Sequence, residues 1–346
     1  MSRGVVTLLV AWLAVSGEAA VVRKKVLPVV QPVGNLLSGG SWQAYEKGFV
    51  RAGPELGCDN GPKRGGRRGA WQVVALNQAE AQPFVVSALS RAEGVDGGRD
   101  GDYALWLDLT YRDGSHEWGV SAPFATGTHG WERREIRFSP LKPVKEVLCY
   151  LLLREHAGRV WFKDAALAEI RLPPMGVWFD GLPVVPQLPS PGGFELRDVA
   201  VESDIVAFSA TATSGLSFAV ERREEDGVDA FRGRVTDHSG RDRAITLYYV
   251  LPIQGVEWRW IGAPRADEAV LPPREYACTA RVDAGANGNL SRLPFAAVAA
   301  GRDGRALALD MDTPAFFRAG YSAGTGQLYL AYDFGLTPER PAADFS

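Results

Sequence analysis

Tyr103-Ala104-Leu105-Trp106-Leu107-Asp108-Leu109-Thr110-Tyr111 alternates strictly, and Arg112-Asp113-Gly114-Ser115 follows it. A period of two sustained over nine residues is the mark of a half-buried strand, with Leu105, Leu107, Leu109 and Tyr111 on one face. Asp-Gly between alternating runs signals a hairpin, so His116 to Ser121 is the returning strand. With Asp113-Gly114 as a two-residue turn, Tyr111 faces His116, Leu109 faces Trp118 and Leu107 faces Val120. That register gathers the large apolar groups on one side. The other side carries Trp106, Asp108, Thr110 and Glu117, with Gly119 opposite Asp108. An aromatic ring for C–H faces, beside carboxylates that accept from hydroxyls, is the chemistry of a sugar platform. The same pattern also fits a strand whose tryptophan lies under a loop and whose acids are solvated.

Outward from the hairpin the chain keeps the same character. Trp71 to Asn77, Phe84 to Glu93, Trp131 to Phe138, Pro143 to Arg154 and Val160 to Ile170 read as strands. Among 346 residues there are 39 Gly and 22 Pro and no long apolar helical period, which predicts an all-β chain of two antiparallel β-sandwich domains. A net charge of −3 gives no bulk attraction to nucleic acid or to an anionic membrane. Residues 1–19 have the form of a secretory signal, with Arg3, an apolar core from Val5 to Val15 and Gly17-Glu18-Ala19. The mature protein is therefore expected to be secreted or periplasmic, with no membrane segment beyond the signal. Three cysteines at unrelated spacings and four scattered histidines offer neither a zinc site nor a disulfide framework. Cys149, in a run apolar on both faces, reads as a buried free thiol.

Two brackets around this region carry a resemblance. Asn35-Leu36-Leu37-x-x-Gly40-x-Trp42-Gln43 and Gly158-Arg159-Val160-Trp161-Phe162-Lys163-Asp164-x-x-Leu167 resemble the two ends of a carbohydrate-binding jelly roll. The likeness is to the xylanase and cellulase modules, galactose-binding-like in fold, and it covers residues 35–170. It implies an oligo- or polysaccharide partner and a structural calcium, for which Asp164 and Gln43 stand at the matching positions. Gln43 replaces the usual glutamate and Lys163 the first of two aspartates, so the set is poorer in carboxylates than calcium ordinarily takes.

Residues 171–193 hold six prolines, Pro173, Pro174, Pro183, Pro186, Pro189 and Pro191, and read as a linker, with Val177-Trp178-Phe179-Asp180 as a short docked strand within it. From 194 to 346 strand-like runs alternate with turns. Leu293 to Val298, Ala306 to Met311 and Tyr329 to Leu336 are similar to the mutarotase-like supersandwich that precedes the barrel of large glycoside hydrolases. That likeness implies a chain interrupted before a catalytic barrel. No nucleophile elbow, phosphate loop or selectable carboxylate pair stands out, so no catalytic residue is assigned. The function these readings favour is a noncatalytic, carbohydrate-binding portion of a glycoside-hydrolase-like protein. Two others stay open: a hydrolase, epimerase or lyase site in the second sandwich, and a structural adhesion protein.

Overall fold

Strand alternation in the sequence becomes strand pairing in the computed structural model, which describes residues 21–27, 34–37, 41–140, 142–170, 172, 175–208, 215–225, 227–255, 257–264, 266–271, 273–282, 285–312 and 314–346. The signal-like stretch 1–19 lies outside them. Among the described residues there is no helix, and none therefore that is long and apolar enough to cross a membrane. The chain is all-β. It divides into two units, one numbered 29–171 and the other formed by 1–28 with 172–346.

In the order of the chain, the strands are β1 (Val22–Val26), β2 (Gln43–Glu46), β3 (Val50–Ala52), β4 (Glu55–Gly61), β5 (Arg67–Ala75), β6 (Phe84–Val95), β7 (Tyr103–Tyr111), β8 (His116–Pro123), β9 (Gly127–Phe138), β10 (Val144–Arg154) and β11 (Gly158–Glu169). They are followed by β12 (Val177–Phe179), β13 (Leu182–Pro186), β14 (Gly193–Asp198) and β15 (Ile205–Ala207). The 29–171 unit is a sandwich of two five-stranded sheets, ordered β2-β5-β10-β7-β8 and β3-β4-β11-β6-β9. Its core draws on alternate residues of both sheets: Leu105, Leu107 and Leu109 of β7, Val147, Cys149 and Leu151 of β10, Val86 of β6 and Phe162 of β11. Each such side chain contributes about 1.5–3 kcal/mol by leaving water. Cys58 and Cys149 are buried free thiols, and burial pushes both up to about 12.

The β7–β8 hairpin departs from the simple register in two places that compensate. Gly114 N donates to Tyr111 O at 3.0 Å and Tyr111 N to Ser115 O at 2.8 Å, with Gly114 left-handed at φ 81. The loop is thus three residues, 112–114, closed by a glycine bulge. The extra residue puts Thr110 opposite His116 and Leu109 opposite Glu117. A second bulge at Trp118-Gly119, with Gly119 at φ 82, sets two residues against Asp108 and restores Leu107 opposite Val120. Between the bulges the faces are exchanged. Trp118, placed by the simple register on the core side, is 64% exposed, and Glu117 turns inward to accept from the Tyr111 hydroxyl at 2.5 Å.

The other unit is built on a nine-stranded sheet. Its order is β12-β13-β1-β15-β14, then Arg243–Pro252, Gln327–Leu336, Phe316–Ser322 and Glu275–Ala277. Both faces of the central strands are buried: Leu247 and Leu330 join one cluster, Tyr248 and Tyr329 the other. The stretch expected as a linker, 171–193, instead carries β12 and β13, with Phe179 and Val184 fully buried. Pro183 and Pro186 lie in β13, at its second and last residues, and β13 pairs with both β12 and β1. The unit therefore does not begin at 194; it also takes in β1, whose buried Lys24 pairs with Glu195 and lies 4.1 Å from the Phe179 ring.

Candidate functional site

Outward-facing positions of the sheet β2-β5-β10-β7-β8 form one row across all five strands. Gln43 is paired with Trp71, Trp71 with Tyr150, Tyr150 with Trp106 and Trp106 with Ser121. Directly opposed residues share a face, and neighbouring strands are about 4.8 Å apart, so the row runs about 19 Å. Tyr45, two residues beyond Gln43, adds a fourth ring, edge-on to Tyr150 at 6.1 Å. Trp71 and Tyr150 lie 6.3 Å apart with planes 31° from parallel. All four rings are half-buried. Their polar edges are tied to the protein: Trp71 Nε1 donates to Ala44 O at 3.2 Å, and the Tyr45 hydroxyl accepts from Arg67 at 3.1 Å.

Trp106 is the most constrained of the four. Its Nε1–H donates to Asp108 Oδ1 at 2.9 Å, and the same oxygen takes the Gly119 N–H at 2.9 Å. Two glycines make room for the ring. A Cβ at Gly101 would stand 2.9 Å from it and one at Gly119 3.3 Å. The Arg154 guanidinium lies 4.8 Å from the ring centroid and pairs with Asp102 at 3.0 Å. Burial, with the nearby Asp108 charge, holds the Tyr150 phenol above its ordinary range.

Of the four residues that the hairpin pattern puts together, the structure keeps Trp106, Asp108 and Thr110 on the outer face and removes Glu117 to the inner side. Thr110 sits apart from the ring row, 3.3 Å from His116 Nδ1, and His116 stacks on Trp118 at 4.6 Å. Trp71, Tyr150, Tyr45 and Arg154 are the members that reading the hairpin alone overlooks. Parity contains the signal for them, because each stands at an outward position once β2, β5 and β10 are aligned beside β7. Trp131 belongs elsewhere, on β9 of the second sheet, with Lys163 4.1 Å and Arg91 5.5 Å from its ring.

Gln43 lies in the row beside Trp71, whereas Asp164 is an exposed residue at a bulge of β11, in the opposite sheet, with φ 51. Calcium needs its oxygens at 2.3–2.6 Å. Among the described residues no group of three or more His, Cys, Asp or Glu is placed to hold a metal ion.

The second unit contains a concentrated charge cluster of a different kind. Arg318, 1% exposed, donates Nε to Asp180 Oδ1 at 2.6 Å and Nη2 to Asp180 Oδ2 at 2.8 Å, and also pairs with Asp333. Tyr248 donates to Asp180 at 3.0 Å, and Thr246 to Asp333 at 2.8 Å. The carboxyl of Glu275 accepts from the Asp180 N–H, the Gly181 N–H at 2.9 Å and the Tyr329 hydroxyl at 3.1 Å. Burial and the Asp180 charge raise it to about 7. With its members engaged with one another under the surface, the cluster fastens β12 and the turn after it to the sheet.

No family model matches the chain. Among curated proteins it is similar to the tRNA3(Ser)-specific nuclease WapA of Bacillus spizizenii, 36% identical over 103 residues, and to the tRNA nuclease WapA of Bacillus subtilis, 35% identical over 103 residues. Each match takes in 28% of this chain, which spans 4% of the length of these relatives. Among solved structures, a family 16 carbohydrate-binding module has a TM-score of 0.28 at 12% identity, covering 39% of this chain and 100% of that one. The CBM22-1–CBM22-2 tandem domain of Paenibacillus barcinonensis Xyn10C has a TM-score of 0.26 at 8% identity, covering 95% and 97%.

Proposed function

We propose that the 29–171 unit binds a carbohydrate chain along the row from Gln43 to Ser121. One observation carries this reading: Trp71, Tyr150 and Trp106 are directly opposed on three adjacent strands of one outward face. Sugar rings with equatorial hydroxyls present flat C–H faces to such a row, while Gln43, Ser121 and Arg154 supply donors and acceptors at its margins. Asp108 is committed to Trp106 and Gly119, which favours binding over hydrolysis here, since hydrolysis takes two carboxyl groups across the scissile bond. Export, from the signal-like 1–19, and a glycoside-hydrolase-like context, from the supersandwich resemblance of the second unit, belong to the same proposal.

The test is a glycan array on the full chain, with single-stranded oligonucleotides included because aromatic rows also stack bases. Calorimetry with cellohexaose follows. Binding that disappears in the Trp71→Ala, Trp106→Ala double variant, with circular dichroism unchanged, is the expected result. Equal binding by the folded double variant, or binding to oligonucleotides alone, would remove the carbohydrate reading.

A further inference from the structure

We infer that His156 is the positioning residue of the Trp106 platform: its imidazolium clamps the loop 96–102, whose end at Gly101 forms the wall on which the indole is set. His156 is 4% exposed, in the short connection between β10 and β11. Its Nδ1 faces Asp96 O at 2.5 Å and its Nε2 faces Asp100 Oδ1 at 2.9 Å. Both partners are acceptors. A neutral imidazole has one N–H, so only the doubly protonated ring makes both bonds.

The clamp is continuous with the platform. Asp100 Oδ1 also accepts the Asp102 N–H at 2.8 Å, which folds the loop back at Gly101. Gly101 abuts the Trp106 ring, its carbonyl accepts from Arg154 at 3.2 Å, and Asp102 pairs with the same guanidinium. At the near end, Gly97 is so close that a Cβ would stand 2.9 Å from the imidazole. The charged groups around His156 are Asp96 and Asp100 from the loop, Arg64 from the β4–β5 connection, which pairs with Asp96, and its chain neighbours Glu155, engaged with Arg67, and Arg154, engaged with Asp102. Burial opposes the charge on His156, but the bonds to Asp100 and the Asp96 carbonyl, with both carboxylates, outweigh it and raise its titration. A raised histidine keeps its clamp below its unfolded value and releases it as pH climbs through the folded one. Arg99 on Pro123 O at 3.0 and 2.9 Å, and Thr126 on Gly97 O at 3.0 Å, retain the loop after release, so the wall is loosened rather than lost.

The experiment reads Trp106 directly, in the full chain labelled with ¹⁵N-tryptophan and ¹³C-histidine, with the indole signal assigned from Trp106→Phe. The Trp106 Nε1–H and the His156 ring are expected to titrate with one midpoint above about 6.5. That transition disappears from the indole in His156→Gln and moves to lower pH in Asp100→Asn, whose side chain is half exposed. An indole that does not follow His156, or an Asp100→Asn midpoint that stays in place, overturns the inference even if His156→Gln fails to fold. The affinity arm rests on the carbohydrate reading: cellohexaose binding should weaken about fivefold across the titration. Measurable but pH-independent binding overturns the inference, whereas no binding at any pH removes only the carbohydrate reading and leaves the indole titration to decide.

Discussion

Asp108 Oδ1 receives both the indole N–H of Trp106 and the backbone N–H of Gly119, each at 2.9 Å. One oxygen thus fixes an aromatic ring and the bulge that resets the register beside it. Asp108 acts here as an acceptor and not as a free charge.

That role separates two substitutions. Asp108→Asn keeps an oxygen at the same place and should bind cellohexaose nearly as the parent does. Asp108→Ala leaves two N–H groups without their acceptor and frees the ring, so the loss should approach that of Trp106→Ala, about 1–2 kcal/mol. Calorimetry on both folded variants decides. If Asn loses as much as Ala, the charge itself meets the ligand.

Glu117 should be silent in binding. Its carboxylate faces the Tyr111 hydroxyl on the inner side of the hairpin, so Glu117→Gln is expected to leave affinity unchanged. Loss of a charge-assisted bond should lower the unfolding free energy by about 1 kcal/mol. An affinity drop with unchanged stability would mean that the side chain reaches the ligand after all.

The hairpin shows what sequence could and could not tell. Alternation in β7 was enough to place Leu105, Leu107 and Leu109 inside and Trp106 and Asp108 outside, because period two is a property of the strand alone. The partner strand was harder. Two left-handed glycines, Gly114 and Gly119, each insert a residue; the errors cancel at Val120 but not between the bulges, where Glu117 and Trp118 change sides. The row of rings was out of reach for another reason: opposing Trp71, Tyr150 and Trp106 requires the order β5-β10-β7, a nonlocal fact. Likewise, the prolines of 171–193 suggest a linker, yet Phe179 pairs locally with Leu182, and Val184 pairs with Val26 of β1, far earlier in the chain.

Arg318→Met should be among the most destabilising changes in the second unit. It leaves Asp180 and Asp333 facing each other without the guanidinium that bridges them. Removing one partner of a buried ion cluster typically costs about 3–5 kcal/mol. Urea unfolding is the measurement, and a shift below about 1 kcal/mol would show that solvent reaches the site.

Glu275 gives that unit a pH dependence of definite sign. The residue is half-buried, but its carboxyl is the enclosed part, held by the Asp180 and Gly181 N–H groups and the Tyr329 hydroxyl. Burial and the neighbouring Asp180 raise it from an ordinary 4.5 to about 7. A carboxyl raised on folding binds its proton more tightly in the native state, so protonation favours the fold. The stabilisation is complete below about pH 4.5 and is lost as pH rises through about 7. It amounts to on the order of 3 kcal/mol. Urea unfolding from about pH 5 to about pH 8 should therefore show a decline in the parent that Glu275→Gln lacks. The variant should also be less stable at the acid end, since its amide NH₂ must face one of the two backbone N–H groups. The same slope in parent and variant would assign the pH dependence to other groups, and would mean that Glu275 is ionised in the folded unit throughout this range.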